Sequence, residues 1–334
     1  MRYLQLGRSG LRVSEACLGA MTFGAVDWGA SLEESRRIFD AYREVGGNFI
    51  DTANNYAGGR SEEIVGELLA ADRDRFVLAT KYTAPIRPGD VNAFGNHRKS
   101  LVQSLDQSLR RLRTDYVDLL WVHLWDAVTP IAELMRSLDD QIRAGKVLYV
   151  GISDVPAWAV AEGNTLARER GWTPFSAIQI EYSLVERTVE RELVPMADAL
   201  GLAVLAWGPL AGGLLTGKYA DVQGVREGEH GRLAEGDRRL TERNLQIAGL
   251  VSEIGERLGA PPAQVALAWL RNRGEFVVPI VGARSAEQLE ASLGYLELEL
   301  DDDDRQTLDE ASAVPMGFPG EMLARFGVGR PPSA

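Results

Sequence analysis

One cysteine, Cys17, in 334 residues excludes an intrachain disulfide, so the chain makes no demand for an oxidising compartment. Histidine is also scarce, with three in all, and no His/Cys/Asp/Glu group has the spacing of a metal site. No apolar run approaches the roughly 18 residues of a membrane span, and Met1–Gly10 lacks a charged-then-apolar leader. Positive charge is in deficit, 36 Lys and Arg against 48 Asp and Glu. The net charge of −12 speaks against nucleic acid and anionic membrane surfaces as partners. No Ser/Pro-rich linker divides the chain. The expectation is a cytoplasmic globular protein acting on a small molecule, with no metal and no signal for its oligomeric state.

What is present is an alternation of short apolar runs with helix-length amphipathic segments. Two short segments around Gly7-Arg8-Ser9-Gly10 predict an N-terminal β-hairpin. Eight further strands are expected, near Cys17–Ala20, Asn48–Asp51, Phe76–Lys81, Val117–His123, Val147–Ser153, Ser176–Gln179, Leu202–Trp207 and Phe276–Gly282. Leu101, Leu105, Leu109 and Leu112 form a helical stripe between them, as do Ile131, Leu134, Met135, Leu138 and Ile142. Ser61, followed by Glu62 and Glu63, reads as a helix start, and Asp301–Asp304 as the cap of a late helix. An open dinucleotide-binding sheet would show G-x-G-x-x-G after an early strand, and none is present. Gly208 to Gly213 lies late and has the wrong spacing. The fold class is therefore α/β, a (β/α)8 barrel with an N-terminal hairpin, residues 1–334 forming one domain.

The chemistry-bearing residues sit where such strands end. Asp51, Lys81, His123, Ser153 and Gln179 each close an apolar strand, and successive ends are spaced for one βα unit, roughly 30 residues. In a barrel these ends converge on one face, where barrel enzymes carry their active sites. Singly, each residue has a bland reading: a capping Asp, a solvated Lys, a structural His. Jointly they place charges in a setting where desolvation is costly unless they pair. Lys81 and Asp51 are the expected pair.

Asp51-Thr52-Ala53-Asn54-Asn55-Tyr56, Ala79-Thr80-Lys81 and His123 before Asp126 resemble the active-site motifs of aldo-keto reductases. Gly151-Ile152-Ser153, Gln179-Ile180-Glu181-Tyr182, the loop from Trp207 to Tyr219 and the segment from Gly282 to Ser292 resemble the family's cofactor motifs. The matches run over nearly the whole chain, and the subgroup resembled includes bacterial reductases and potassium-channel β subunits. The resemblance implies hydride transfer from NAD(P)H to an aldehyde or ketone, and Arg284 and Lys218, as charge-assisted donors to phosphate oxygens, favour NADPH over NADH. It implies a catalytic tetrad of Asp51, Tyr56, Lys81 and His123, with Tyr56 the proton donor. Lys81 is expected to lower the Tyr56 pKa, Asp51 to hold Lys81, and His123 to orient the carbonyl.

The same resemblance places Ser153, Asp154 and Gln179 at the nicotinamide amide and Trp207 on its ring, with Gly19, Ala20, Met21 and Asp51 also near the cofactor. Gly208, Pro209, Leu210, Gly212 and Lys218 would hold the pyrophosphate, Arg232 would reach in from a following loop, and Gly282, Arg284 and Gln288 would take the adenosine end. Asp154 stands where many relatives have Asn, and Ala291-Ser292 where they often have Glu-Asn. Met21, Phe23, Trp28, Tyr82 and Trp125 are candidates for lining a substrate pocket, with loop packing an equal reading. The alternative function is a redox-sensing subunit with slow turnover; the channel subunits have Asn where this chain has His123. A Schiff-base enzyme built on Lys81 would leave Tyr56 and Trp207 unexplained.

Overall fold

The strands β1 (Tyr3–Gln5) and β2 (Arg12–Ser14) pair antiparallel, as the hairpin signal predicts. The turn between them needs glycine. Gly7 has φ 58°, and a Cβ there would meet the carbonyl oxygens of Ser176 and Gly201 at 2.4 and 2.8 Å. These residues immediately precede barrel strands, so the hairpin covers the N-terminal end of the barrel, with Leu6 and Val13 fully buried.

The computed structural model describes residues 1–85, 87, 89–221, 224–225, 232–234 and 236–327. Eight strands close a barrel: β3 (Cys17–Gly19), β4 (Phe49–Asp51), β5 (Val77–Tyr82), β6 (Val117–Val122), β7 (Val147–Ser153), β8 (Ala177–Glu181), β9 (Ala203–Trp207) and β12 (Val277–Gly282). They run β12-β3-β4-β5-β6-β7-β8-β9, with β12 pairing parallel to β3. A short antiparallel pair, β10 (Tyr219–Asp221) and β11 (Gly224–Val225), forms a separate two-stranded sheet. The expected strands are all present. β5 and β8 extend beyond Lys81 and Gln179, so these two residues lie within strands rather than at their last position.

The helices are α1 (Leu32–Glu44), α2 (Arg60–Leu69), α3 (Arg98–Leu112), α4 (Ile131–Arg143), α5 (Ala157–Arg170) and α6 (Leu193–Leu200), followed by α7 (Glu242–Leu258), α8 (Pro262–Arg271), α9 (Ala286–Leu293), α10 (Asp302–Ser312) and α11 (Gly320–Arg325). The α3 stripe buries Leu101, Leu105, Leu109 and Leu112, and α4 buries Leu134, Met135 and Leu138, while Ile131 and Ile142 are half-buried. Each fully buried leucine contributes about 1.5–3 kcal/mol. Asp301 caps α10 by accepting from the Asp304 amide, as expected. Ser61 does not cap α2: the helix begins at Arg60 after Gly59, and Ser61 is buried one residue inside. No helix among the described residues is long and apolar enough to cross a membrane.

Packing divides the chain into two units. One comprises Met1–Ile180, Met196–Leu205 and Ile280–Leu289 and holds most of the barrel; the other comprises Glu181–Pro195, Ala206–Pro279 and the chain from Glu290 onward. In the second unit Trp269 lies under the guanidinium groups of Arg187 and Arg273, and Asp309 accepts from Trp269 Nε1 at 3.0 Å.

Candidate active site

Asp51 ends β4 beside β5, and the chain continues along that neighbour. Thr52 N donates to Ala79 O at 3.0 Å and Asn54 N to Lys81 O at 3.1 Å. This carries the backbone from Asp51 toward Tyr56 past Lys81. Lys81 and Asp51 are 0% and 2% exposed and form an ion pair. Lys81 Nζ also donates to Thr52 O at 2.8 Å, and Gln179 Nε2 to Asp51 Oδ1 at 3.1 Å. A buried ammonium survives only with such partners. Burial alone depresses the Lys81 pKa, but Asp51 and Tyr56 raise it, and the net result lies above the ordinary 10.5. Lys81 is an ammonium at neutral pH.

Helix α2 braces this pair from outside. Ser61 Oγ donates to Ala20 O at 2.7 Å and lies 2.8 Å from Thr52 Oγ1. Glu62, fully buried, accepts from Thr80 Oγ1 at 2.5 Å and from Arg111 Nε at 2.6 Å. The first turn of α2 thus ties down the residues flanking both Asp51 and Lys81. The sequence showed only an acidic helix start; the buried role of Ser61 and Glu62 comes from neighbours distant in the chain.

Tyr56 opens a 3-10 turn, Tyr56–Gly59, with the Lys81 ammonium 4.7 Å from its ring centroid. His123, the residue after β6, stands edge-on to Tyr56 with centroids 5.9 Å apart and planes at 82°. Burial and the Lys81 charge lower the His123 pKa to about 3, so the imidazole is neutral at pH 7. Its backbone is fixed by a bond from His123 N to Tyr82 O at 3.1 Å, while the buried Nδ1 has no partner among the described residues. The expected depression of the Tyr56 pKa is not the net result. Burial raises it above 10.0 and outweighs the lowering by Lys81, and Asp51 and Asp154 raise it further. Lys81 acts in the expected direction but against a larger desolvation cost.

Other expected residues of the same unit lie as follows. Gly19 ends β3, Ala20 N donates to Asp51 O at 2.8 Å, and Met21 is half-buried. Ser153 pairs in register with Gln179 across β7 and β8, and both are buried. Part of the Gln179 amide is therefore engaged by Asp51, a contact the sequence did not reveal. Asp154 is exposed at φ 45°. Gly282 is exposed at the end of β12, and Arg284 N donates to Gln288 Oε1 at 3.0 Å, which ties these two residues into one turn.

In the second unit, Trp207 is half-buried and its carbonyl accepts from Tyr182 N at 3.2 Å. Gly208, Gly212 and Gly213 all have positive φ around Pro209 and Leu210, and the loop ends at Lys218. A Cβ on Gly213 would come within 2.9 Å of Lys218 Nζ, so the ammonium lies against this turn of the loop, where φ 97° favours glycine. An ammonium over glycine backbone suits a phosphate group, and the residues present fit the pyrophosphate of a dinucleotide. Arg232 N donates to Tyr219 OH at 2.9 Å, and its side chain is exposed. Residues 222, 223 and 226–231 of the adjoining loop lie outside the described residues.

Of the aromatic candidates, Phe23 and Tyr82 are 1% and 0% exposed and belong to the core; Tyr82 OH donates to Asn96 O at 3.2 Å. Trp28 and Trp125 remain accessible. Trp158, at the start of α5, is 57% exposed and was missed by sequence reasoning, because no motif marks it.

A family model described as the aldo/keto reductase family matches residues 15–313. The chain belongs to the aldo/keto reductase family. It is 40% identical over 330 residues to the norsolorinic acid reductase stcV of Emericella nidulans, covering 94% of this chain and 82% of that one. It is 39% identical to the aryl-alcohol dehydrogenase GME11368 of Pestalotiopsis microspora, covering 96% and 85%. An aryl-alcohol dehydrogenase [NADP(+)] of Phanerodontia chrysosporium is 38% identical, covering 93% and 85%. As an aldo/keto reductase the protein is an NAD(P)H-dependent oxidoreductase that acts on small carbonyl compounds.

Proposed function

We propose that this aldo/keto reductase is a cytoplasmic, single-domain enzyme that reduces aromatic aldehydes and ketones, with Tyr56 as proton donor and NADPH preferred to NADH. The observation that carries the assignment of roles is the fully buried Lys81–Asp51 pair set against the Tyr56 ring. Isolated buried charges are expensive, and this pair stands beside the Tyr56 phenol, whose ionisation the Lys81 ammonium favours. The aromatic substrate class is supported by the names of the aryl-alcohol dehydrogenase relatives, and the NADPH preference by the Arg284 guanidinium and the NADP(+)-named relative.

When bound, a nicotinamide supplies the hydride. Ser153, Gln179 and Trp207 would hold its ring, Gly208 to Gly212 and Lys218 its pyrophosphate, and Arg284 and Gln288 its adenosine end. Tyr56 OH donates to the carbonyl oxygen and transfers its proton as negative charge gathers there. The phenolate left behind lies in a desolvated position, which is why the adjacent ammonium of Lys81 is required. Asp51 and Thr52 O keep Lys81 protonated and in place. His123, neutral, hydrogen-bonds and orients the same oxygen without competing for the proton.

Tyr56→Phe tests this. Turnover of an aromatic aldehyde should fall by roughly 100- to 10,000-fold, the span of general acid catalysis. NADPH binding, followed by fluorescence, should stay within a few-fold of wild type. Comparable turnover in the mutant would remove Tyr56 from the donor role.

A further inference from the structure

Consecutive strand-end loops around one side of the barrel each carry an aromatic side chain that is at least partly accessible. After β3 comes Trp28, 41% exposed; after β4, Tyr56; after β5, Phe94, 49% exposed; after β6, Trp125; and at the start of the helix after β7, Trp158, 57% exposed. These strands are neighbours in the barrel, in that order. Contiguous exposed aromatic surface marks a ligand or partner site, and Trp125 and Trp158 are in ring contact. Trp125 follows His123 by two residues, and Trp125 and Trp158 stand edge to face, centroids 6.0 Å apart and planes at 88°.

The loops that carry Phe94 and Trp125 are tied together. Asp126 accepts from Asn96 N at 2.7 Å, from Val128 N at 3.0 Å, from Thr129 N at 2.9 Å and from Thr129 Oγ1 at 2.7 Å. Thr83 Oγ1 donates to Asn96 Oδ1 at 2.8 Å, and Gly95 N to Thr83 O at 3.0 Å. Phe94 and Trp125 therefore sit on loops joined through Asp126 and Asn96, held before any ligand arrives. Preorganised aromatic surface of this kind binds without a large ordering cost.

We infer that Trp158, together with Trp125, forms a distal stacking subsite that makes the enzyme selective for multi-ring aromatic carbonyls over single-ring ones. The inference rests on the reading of Tyr56 and His123 as the groups that hold the carbonyl. Adjacent strands are about 4.8 Å apart, and Trp158 lies one strand beyond Trp125, itself just past His123. A single ring anchored by its carbonyl at Tyr56 leaves Trp158 uncovered. A second or third fused ring extends toward it and meets a π surface at the edge-to-face and offset distances that aromatic pairs favour. An aliphatic carbonyl gains only area there.

The test is steady-state reduction of benzaldehyde, 2-naphthaldehyde and anthracene-2-carbaldehyde at saturating NADPH, by wild type, Trp158→Ala and Trp158→Phe. In wild type, KM should fall with ring number. In Trp158→Ala the kcat/KM ratio of the three-ring to the one-ring aldehyde should drop about tenfold, through KM, the scale of one lost aromatic pair with its area. Trp158→Phe, which keeps an aromatic face, should recover most of that ratio and guards against a folding defect in the alanine variant. A wild-type KM indifferent to ring number, or a ratio unchanged in Trp158→Ala, overturns the subsite. Absence of NADPH oxidation with every aldehyde in wild type would instead strike at the aromatic-carbonyl reading beneath it.

Discussion

Lys81→Met isolates the electrostatic logic of the site. The substitution keeps an unbranched apolar stem of similar length and deletes the ammonium, leaving the Asp51 carboxylate 2% exposed. Removing one partner of a buried pair costs about 3–5 kcal/mol, because the other charge is left without compensation. Here Asp51 keeps the 3.1 Å bond from Gln179, which favours the lower end, about 3 kcal/mol. A chain of this length loses stability at roughly 0.7 kcal/mol per degree near its midpoint, so Tm should fall by about 4–5 °C. Differential scanning calorimetry at pH 7 measures this. The sign of the pH dependence follows from the raised pKa of Lys81: its contribution is fully present below the ordinary 10.5 and is lost as pH rises through the folded value. The gap between wild type and mutant should thus be constant from pH 7 to 9 and narrow at more alkaline pH. In Asp51→Asn/Lys81→Met the orphaned charge is gone, and about 2 kcal/mol should return. A single mutant as stable as wild type, or a double mutant no more stable than the single, would refute the claim that a buried charge pair is held at this position.

His123→Asn should lower kcat and kcat/KM together while NADPH binding holds, as expected for a bond made to the developing oxyanion; a change confined to KM would make His123 a ground-state contact. The same substitution should flatten the acid limb of stability, because wild type, with His123 lowered from 6.5 to about 3, loses stability as pH falls through that interval, as thermal scans from pH 7 to 4 can read. Arg284→Ala keeps the backbone bond to Gln288 and deletes the guanidinium, so NADPH affinity should fall about 10- to 100-fold with NADH little changed. Equal losses by isothermal titration would place Arg284 away from the 2′-phosphate.

The sequence by itself determined the barrel and singled out the residues proposed to carry the chemistry. Both are local signals: a period of apolar runs and helical stripes, and short motifs whose polar members stand at or near strand ends, from Asp51 to Gln179. A strand's end fixes which face its residue serves, so Lys81 and Asp51 were legible as a pair from topology and desolvation cost alone. Only the tertiary structure decided what surrounds them. Burial outweighs the Lys81 charge at Tyr56 because desolvation depends on every neighbour, not on the nearest one. Gln179 reaches Asp51 across 128 positions of sequence, and Glu62 meets Arg111 across 49. Ser61 looked like a cap and is a buried brace, since the backbone already turns into α2 at Arg60. Phe23 and Tyr82, indistinguishable in sequence from Trp28 and Trp125, are enclosed by the core, while Trp158 stands in the accessible rim. Which aromatic ring is covered and which is open is a property of packing, and packing is set by residues that the chain brings together only when it folds.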